Sequence, residues 1–340
     1  MRVTTGLSCH RHRTLTEVID PLCRSLVTAE SISGKHHIIR DMPMSEKMVV
    51  RNCLKGFSLV ELAISLVIIA LVLVLFIGAS SGFISSKRNE VTALKLKAIE
   101  NAIALFVAQN KRLPCPADGT IPSGTANSGM EQRDGATGGC LPLGTPQING
   151  VVPALSLGLS EADALDGWNN RISYRVYSGV NGSLTRNNGM DMSACDPAGT
   201  ALIASGANTL CDPACTSADL SVCVRPTLFL AGKGLQIQNA AGIILMDPAL
   251  GQGAAYVLIS HGDNSGGAYS QGGTLLASIG AQIGTQEAFN SNGINLRLSP
   301  NYYVDSSYTG SDTVNHFDDQ VLRPSIISVA SKAQLGPRAH

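Results

Sequence analysis

The chain has 340 residues, 25 Lys/Arg against 25 Asp/Glu, 35 glycines and only 4% aromatic residues. This length admits one large globular domain or two small ones, and glycine-rich, aromatic-poor composition suits a loop-rich β domain. Residues 1–56 are net basic and residues 57–340 net acidic. That balance argues against a nucleic-acid partner, since phosphate binding needs clustered Lys and Arg.

In chain order, the first informative stretch is Lys55-Gly56-Phe57-Ser58-Leu59-Val60-Glu61. It runs into Leu62-Ala63-Ile64-Ser65-Leu66-Val67-Ile68, and no charged residue follows Glu61 until Lys87. As a helix rising ~1.5 Å per residue, residues 62–86 cover the ~30 Å hydrocarbon layer of a bilayer. A carboxylate at the centre of such a helix costs roughly 2.5–3.5 kcal/mol on insertion scales, so Glu61 needs a partner or an interfacial position. An ordinary secretory signal has a shorter apolar core ending in an Ala-x-Ala-like site. Arg51 and Lys55 on one side balance Lys87 and Arg88 on the other, so flanking charge does not set the orientation.

This junction resembles the class III signal of type IV prepilins and type II secretion pseudopilins. The resemblance implies cleavage between Gly56 and Phe57 by a prepilin peptidase, and N-methylation of Phe57. It gives Glu61 the role of pairing with a subunit's N-terminal amine during assembly. It implies an α+β, pilin-like fold: a long N-terminal α-helix on an antiparallel sheet head with disulfide-stapled loops. The expected organisation is a leader over 1–56, the N-terminal helix over 57–111 with a transmembrane segment at about 62–86, and a globular head over 112–340. The implied location is the bacterial inner membrane, with a cytoplasmic N-terminus and a periplasmic head. The implied partners are the peptidase, other pilin or pseudopilin subunits, an inner-membrane assembly platform and membrane lipid. An extracytoplasmic adhesin or a DNA-uptake receptor on a competence pilus is the alternative. For that family a 56-residue leader is long, and Met42, Met44 or Met48 is the expected translation start. Cys9, His10, His12, His36 and His37 then fall outside the product rather than forming a metal site.

Beyond the apolar run, Val91, Leu94, Ala98, Ile99, Ala102, Leu105 and Phe106 recur at helical spacing, and Pro114 and Pro116 stop the helix. Residues 114–150 read as a long loop. Arg112 to Ala117 resembles a run in a subset of larger pilin-like proteins. The block Asp166-Gly167-Trp168-Asn169-Asn170 through Tyr174 resembles the pseudopilin segment Asp-x-Trp-Gly-Asn-x-x-x-Tyr, with Asn169 in the glycine's place. Ile172, Tyr174 and Val176 alternate with Ser173 and Arg175, predicting a half-buried strand. Residues 178–223 read as an insertion, and Thr227–Leu230 and Ala255–Ser260 as strands. The turn from His261 to Gly267 and the strand Asp318–Leu322 resemble the corresponding turn and closing strand of pseudopilin heads.

Cys115, Cys140, Cys195, Cys211, Cys215 and Cys223 follow the junction. An even set in an exported head predicts disulfides. Pairing Cys115 with Cys140 leaves two bridges within 195–223. Cys211 and Cys215 have the spacing of half a zinc site, but no histidine lies near them in sequence. Asp263, Asn264, Asp318 and Asp319 are candidate Ca²⁺ ligands, since that ion takes six to eight oxygens. EF-hand spacing is absent, and turn chemistry is the preferred account of the same residues. No cofactor is otherwise expected. Ser260, His261 and Asp263 invite a hydrolase reading, but neighbours on a strand face opposite ways. No His-Glu-x-x-His or phosphate loop occurs. A structural subunit, not an enzyme, is expected.

Overall fold

The computed structural model describes residues 58–141, 149–178, 184–202, 209–276, 286–291, 302–309 and 316–340, with side chains 75–81 excepted. The head described below belongs wholly to the compact unit Ala63–His340.

Helix α1 runs over Leu59–Asn110 and passes Gly78 without a break. Ser58 starts it, its hydroxyl accepting from the backbone N–H groups of Val60 and Glu61 at 3.2 and 3.4 Å, as an N-cap does. The C-terminal half buries Thr92, Leu96, Ile99, Glu100, Ile103 and Val107, one stripe at helical spacing. This corrects the expected stripe: of its seven residues only Ile99 is buried, while Val91, Leu94 and Leu105 stay exposed. The helix is apolar on more than one face, so periodicity alone did not fix which row meets the sheet. Glu100 sits in the buried row because Lys97 (2.6 Å) and Lys332 pair with it.

The stripe covers a five-stranded antiparallel sheet. Its strands are β1 (Ala117–Asp118), β2 (Gly150–Val151), β3 (Ser173–Val176), β6 (Tyr256–Ser260) and β8 (Gln320–Leu322), in the order β1-β2-β3-β6-β8. A second sheet has β4 (Gln236–Gln238) at its centre, antiparallel to β5 (Ile244–Met246) and parallel to β7 (Tyr302–Val304). Helix α2 (Pro226–Leu230) lies before β4, and α3 (Ile326–Lys332) after β8. The main core joins Leu96, Ile99, Ile103 and Val107 of α1 to Tyr174, Tyr256, Leu258, Val329 and others. The α+β, pilin-like arrangement of helix on antiparallel sheet is therefore present, with three disulfides.

Two strand expectations change. Residues Thr227–Leu230 are helical, not extended: Pro226 at the first helical position presets φ and needs no donor. Strand β3 is buried along its whole length, Ser173 and Arg175 included, because it lies inside the sheet with both faces covered. Arg175 is accommodated by donating Nη1 to the carbonyls of Gly150 and Tyr174.

Disulfides join Cys115 to Cys140, Cys195 to Cys211 and Cys215 to Cys223. Each half of the Cys211/Cys215 pair thus bonds elsewhere, which removes the zinc reading. The first bridge closes the loop after α1, where Arg112 forks onto Glu131 at 2.7 and 2.9 Å and Cys115 N–H donates to the same carboxylate at 3.0 Å. Burial alone would raise the Glu131 carboxyl; these hydrogen bonds outweigh it and hold it below the usual glutamate range.

Candidate functional sites

At the N-terminal end, Glu61 lies in the first turn of α1, where a negative charge complements the helix dipole. Gly56 and Phe57 lie outside the described residues. From Leu59 to Val74 every large apolar side chain is exposed. Among the described residues no helix is long and apolar enough to cross a membrane. Residues 59–74 fall short of the ~20 that a span needs, and the expected segment of about 62–86 takes in the undescribed side chains 75–81.

The head presents its sequence signature at two docked turns. Asp166 accepts at Oδ1 from the N–H groups of Trp168 and Asn170, both at 2.9 Å, and at Oδ2 from the Ser260 hydroxyl at 2.8 Å. Burial pushes its carboxyl above the usual aspartate value. Gly167 N–H donates to Thr92 Oγ1 at 2.9 Å. A Cβ on Gly167 would stand 2.4 Å from the Arg88 carbonyl oxygen, so only glycine lets this turn touch α1. Asn169 has φ of 64°, a left-handed conformation that asparagine tolerates better than most residues. This explains how it stands where the resembled segment carries glycine.

The second turn, 262–267, is held by Asp318. Its Oδ2 accepts from the N–H groups of Asp263 (2.8 Å) and Asn264 (3.0 Å). Gly262, at φ 54°, has the Asp318 carboxyl carbon 2.5 Å from where a Cβ would be. The Asp263 carboxylate accepts from Trp168 Nε1 at 2.9 Å, and Asn264 Oδ1 accepts from Gly266 N–H at 2.7 Å. Asp319 Oδ2 accepts from Asn290 Nδ2 at 2.8 Å. The four Ca²⁺ candidates thus lie in one region, with Asp263 and Asn264 using side-chain oxygens in turn and ring contacts. A different trio converges: ligating atoms of Glu287, His316 and Asp318 all lie within 4.8 Å of one another. Burial, then the charge of Asp319 and a hydrogen bond with Asp318, push the Glu287 carboxyl up to about 9. Burial likewise raises Asp319.

Ser260 and Asp263 do not join His261 in a relay. Ser173 does: its Oγ lies 2.8 Å from His261 Nε2, and Asp319 Oδ1 lies 3.6 Å from His261 Nδ1. The order of groups is that of a hydrolase triad, yet Ser173, His261 and the Asp319 side chain are closed from solvent. The hydrogen bond joins Ser173 of β3 to His261, the residue after β6, and Asp319 Oδ1 lies beyond hydrogen-bond distance of the ring.

Residues 51–77 match a family model described as the prokaryotic N-terminal methylation motif. The N-terminus is of prepilin type. This is consistent with the type IV pilin and pseudopilin family, whose members are generally non-enzymatic structural subunits. No curated protein and no solved structure matches the chain. The prepilin-type motif was fully legible in sequence, because cleavage and methylation are read from a short linear stretch. Glu287 and the Ser173 contact were not, since Glu287 meets Asp318 across 31 residues and Ser173 meets His261 across 88; His316, next but one to Asp318, was passed over, and His261 drew notice for the wrong partners.

Proposed function

We propose that this chain is a pilin-like structural subunit, a minor pilin or pseudopilin, of a type IV pilus or type II secretion filament. It is cut after Gly56, methylated at Phe57, anchored in the inner membrane by the segment at about 62–86, and assembled through α1. The observation that carries the reading is the prepilin-type motif at 51–77 running directly into a 52-residue helix whose far half packs on a sheet. One continuous helix then serves two environments: an exposed apolar half for lipid or neighbouring helices, and a half bearing the head.

Glu61 acts in this scheme by pairing with the α-amine that cleavage creates. Moving two charges together into an apolar filament core costs far less than moving either alone. The pairing sets subunit register. The region around Asp263, Asn264, Asp318 and Asp319 belongs to the head's own architecture, and a Ca²⁺ ion there would brace the 262–267 turn.

The test is co-expression of the full chain with a prepilin peptidase, followed by intact-mass measurement. The expected product starts at Phe57 and carries one added methyl group. Glu61→Ala is expected to be processed yet to be depleted at least tenfold from sheared filaments. A chain left uncut, or a Glu61→Ala chain incorporated as well as wild type, refutes the reading.

A further inference from the structure

We propose that Glu287, His316 and Asp318 bind a divalent transition ion, with Zn²⁺ the best fit, as a structural staple of the head. The trio's ligating atoms lie within 4.8 Å of one another, and His316 Nε2 is 3.3 Å from Asp318 Oδ2. Two ligands on a tetrahedral zinc with bonds of about 2.0–2.1 Å stand about 3.3–3.4 Å apart. The donor set selects the metal class: an imidazole with two carboxylates suits zinc and its neighbours, whereas Ca²⁺ and Mg²⁺ prefer oxygen alone.

A second observation is independent of that spacing. Asp318 Oδ1 belongs to a side chain only 3% exposed, with no donor in hydrogen-bonding geometry among the described residues, and the buried His316 Nε2 faces the Asp318 carboxylate at 3.3 Å without hydrogen-bonding geometry. Buried polar atoms are nearly always satisfied, so two such atoms in one cluster ask for a ligand that accepts lone pairs. The only cations within 4 Å of Asp318 and Asp319, among the described residues, are histidines. Gathering carboxylates in a buried pocket is costly unless a cation neutralises them.

The cluster is also held from behind, as metal ligands usually are. Asp318 Oδ2 is fixed by the two N–H groups of the 262–267 turn. Glu287 is fixed by Asn264 Nδ2 at 2.9 Å and by the N–H of Asp318 at 3.1 Å. His316 is the most exposed of the three, which gives the ion an entry and leaves a fourth position for water. Bound there, the ion would link the turn at Glu287–Phe289 to the segment that enters β8. This site does not depend on the filament role, and its failure would leave that role untouched.

The test uses the full chain in detergent with Cys9, Cys23 and Cys53 replaced by serine, so that free thiols do not take up zinc. The chelator-stripped protein is titrated with ZnCl₂ by calorimetry, and thermal melting is followed with and without metal. The expected result is one more equivalent of Zn²⁺ in wild type than in His316→Ala, a melting point raised by Zn²⁺ only when the site is intact, and binding at least tenfold weaker in Glu287→Gln. Near-UV circular dichroism checks that His316→Ala folds; if it does not, the near-isosteric Glu287→Gln decides. Equal Zn²⁺ uptake and equal melting shifts across the three proteins overturn the proposal. So does stabilisation by Ca²⁺ that Zn²⁺ does not reproduce, which would mark an oxygen-only site.

Discussion

Replacing both Cys115 and Cys140 by alanine should destabilise the head more than any other disulfide removal. The bridge spans 25 residues, against 16 for Cys195–Cys211 and 8 for Cys215–Cys223. Closure entropy of the unfolded chain then assigns about 3.5, 3.1 and 2.5 kcal/mol to the three in turn at 25 °C. Packing widens the gap to Cys215–Cys223, which lies outside the main core that holds Cys115, Cys140, Cys195 and Cys211. The Arg112–Glu131 fork remains in the double variant and limits how far the loop opens, which makes about 3.5 kcal/mol an upper figure for the entropic part. The assay is urea unfolding of the full chain in detergent, read by Trp168, the only tryptophan, which sits on the turn that docks against α1. The double variant should lower the unfolding midpoint more than Cys215→Ala with Cys223→Ala does. A larger loss from the shorter bridge would refute the reasoning and place the stabilising weight in the insertion.

Other outcomes are expected from buried charge and close contact. Glu100→Gln should cost about 1 kcal/mol at neutral pH, a figure reduced because Lys97 and Lys332 are partly exposed. Burial alone would raise the Glu100 carboxyl, but hydrogen bonds from Lys332 and Lys97 hold it below 4.5. Its contribution is therefore present above that pH and lost as pH falls through the lowered value, so wild type and variant should converge in acid melting curves. Lys233 is buried, 3.5 Å over the Phe229 ring, and burial, with Arg186 nearby, brings its ammonium down to about 7. The unfolded chain binds the extra proton between about pH 7 and 10, so stability should rise across that window, and Lys233→Met should be more stable than wild type at pH 7 and flatten the rise. Gly167→Ala should force the turn off α1, since the clash is with backbone; a loss under about 1 kcal/mol in the Trp168-detected transition would contradict that geometry.

The sequence alone determined that a prepilin-type junction feeds a long helix, that the helix ends before Pro114, and that an α+β head with paired cysteines follows. These are local matters: a linear motif, an uncharged run, a proline and an even set of cysteines. Tertiary structure decided the rest. It chose Thr92, Leu96, Ile103 and Val107 over Val91, Leu94 and Leu105, because a helix apolar on several faces leaves the buried row to whichever face the sheet meets. It made β3 internal, so that Ser173 and Arg175 are buried where alternation had put them outside. It turned Asp263 and Asn264 to ring and turn contacts and brought Glu287, 31 residues back in the chain, to the His316-x-Asp318 segment. The His-x-Asp spacing is visible in the chain, but the arrival of Glu287 beside it is a tertiary contact that no linear pattern records.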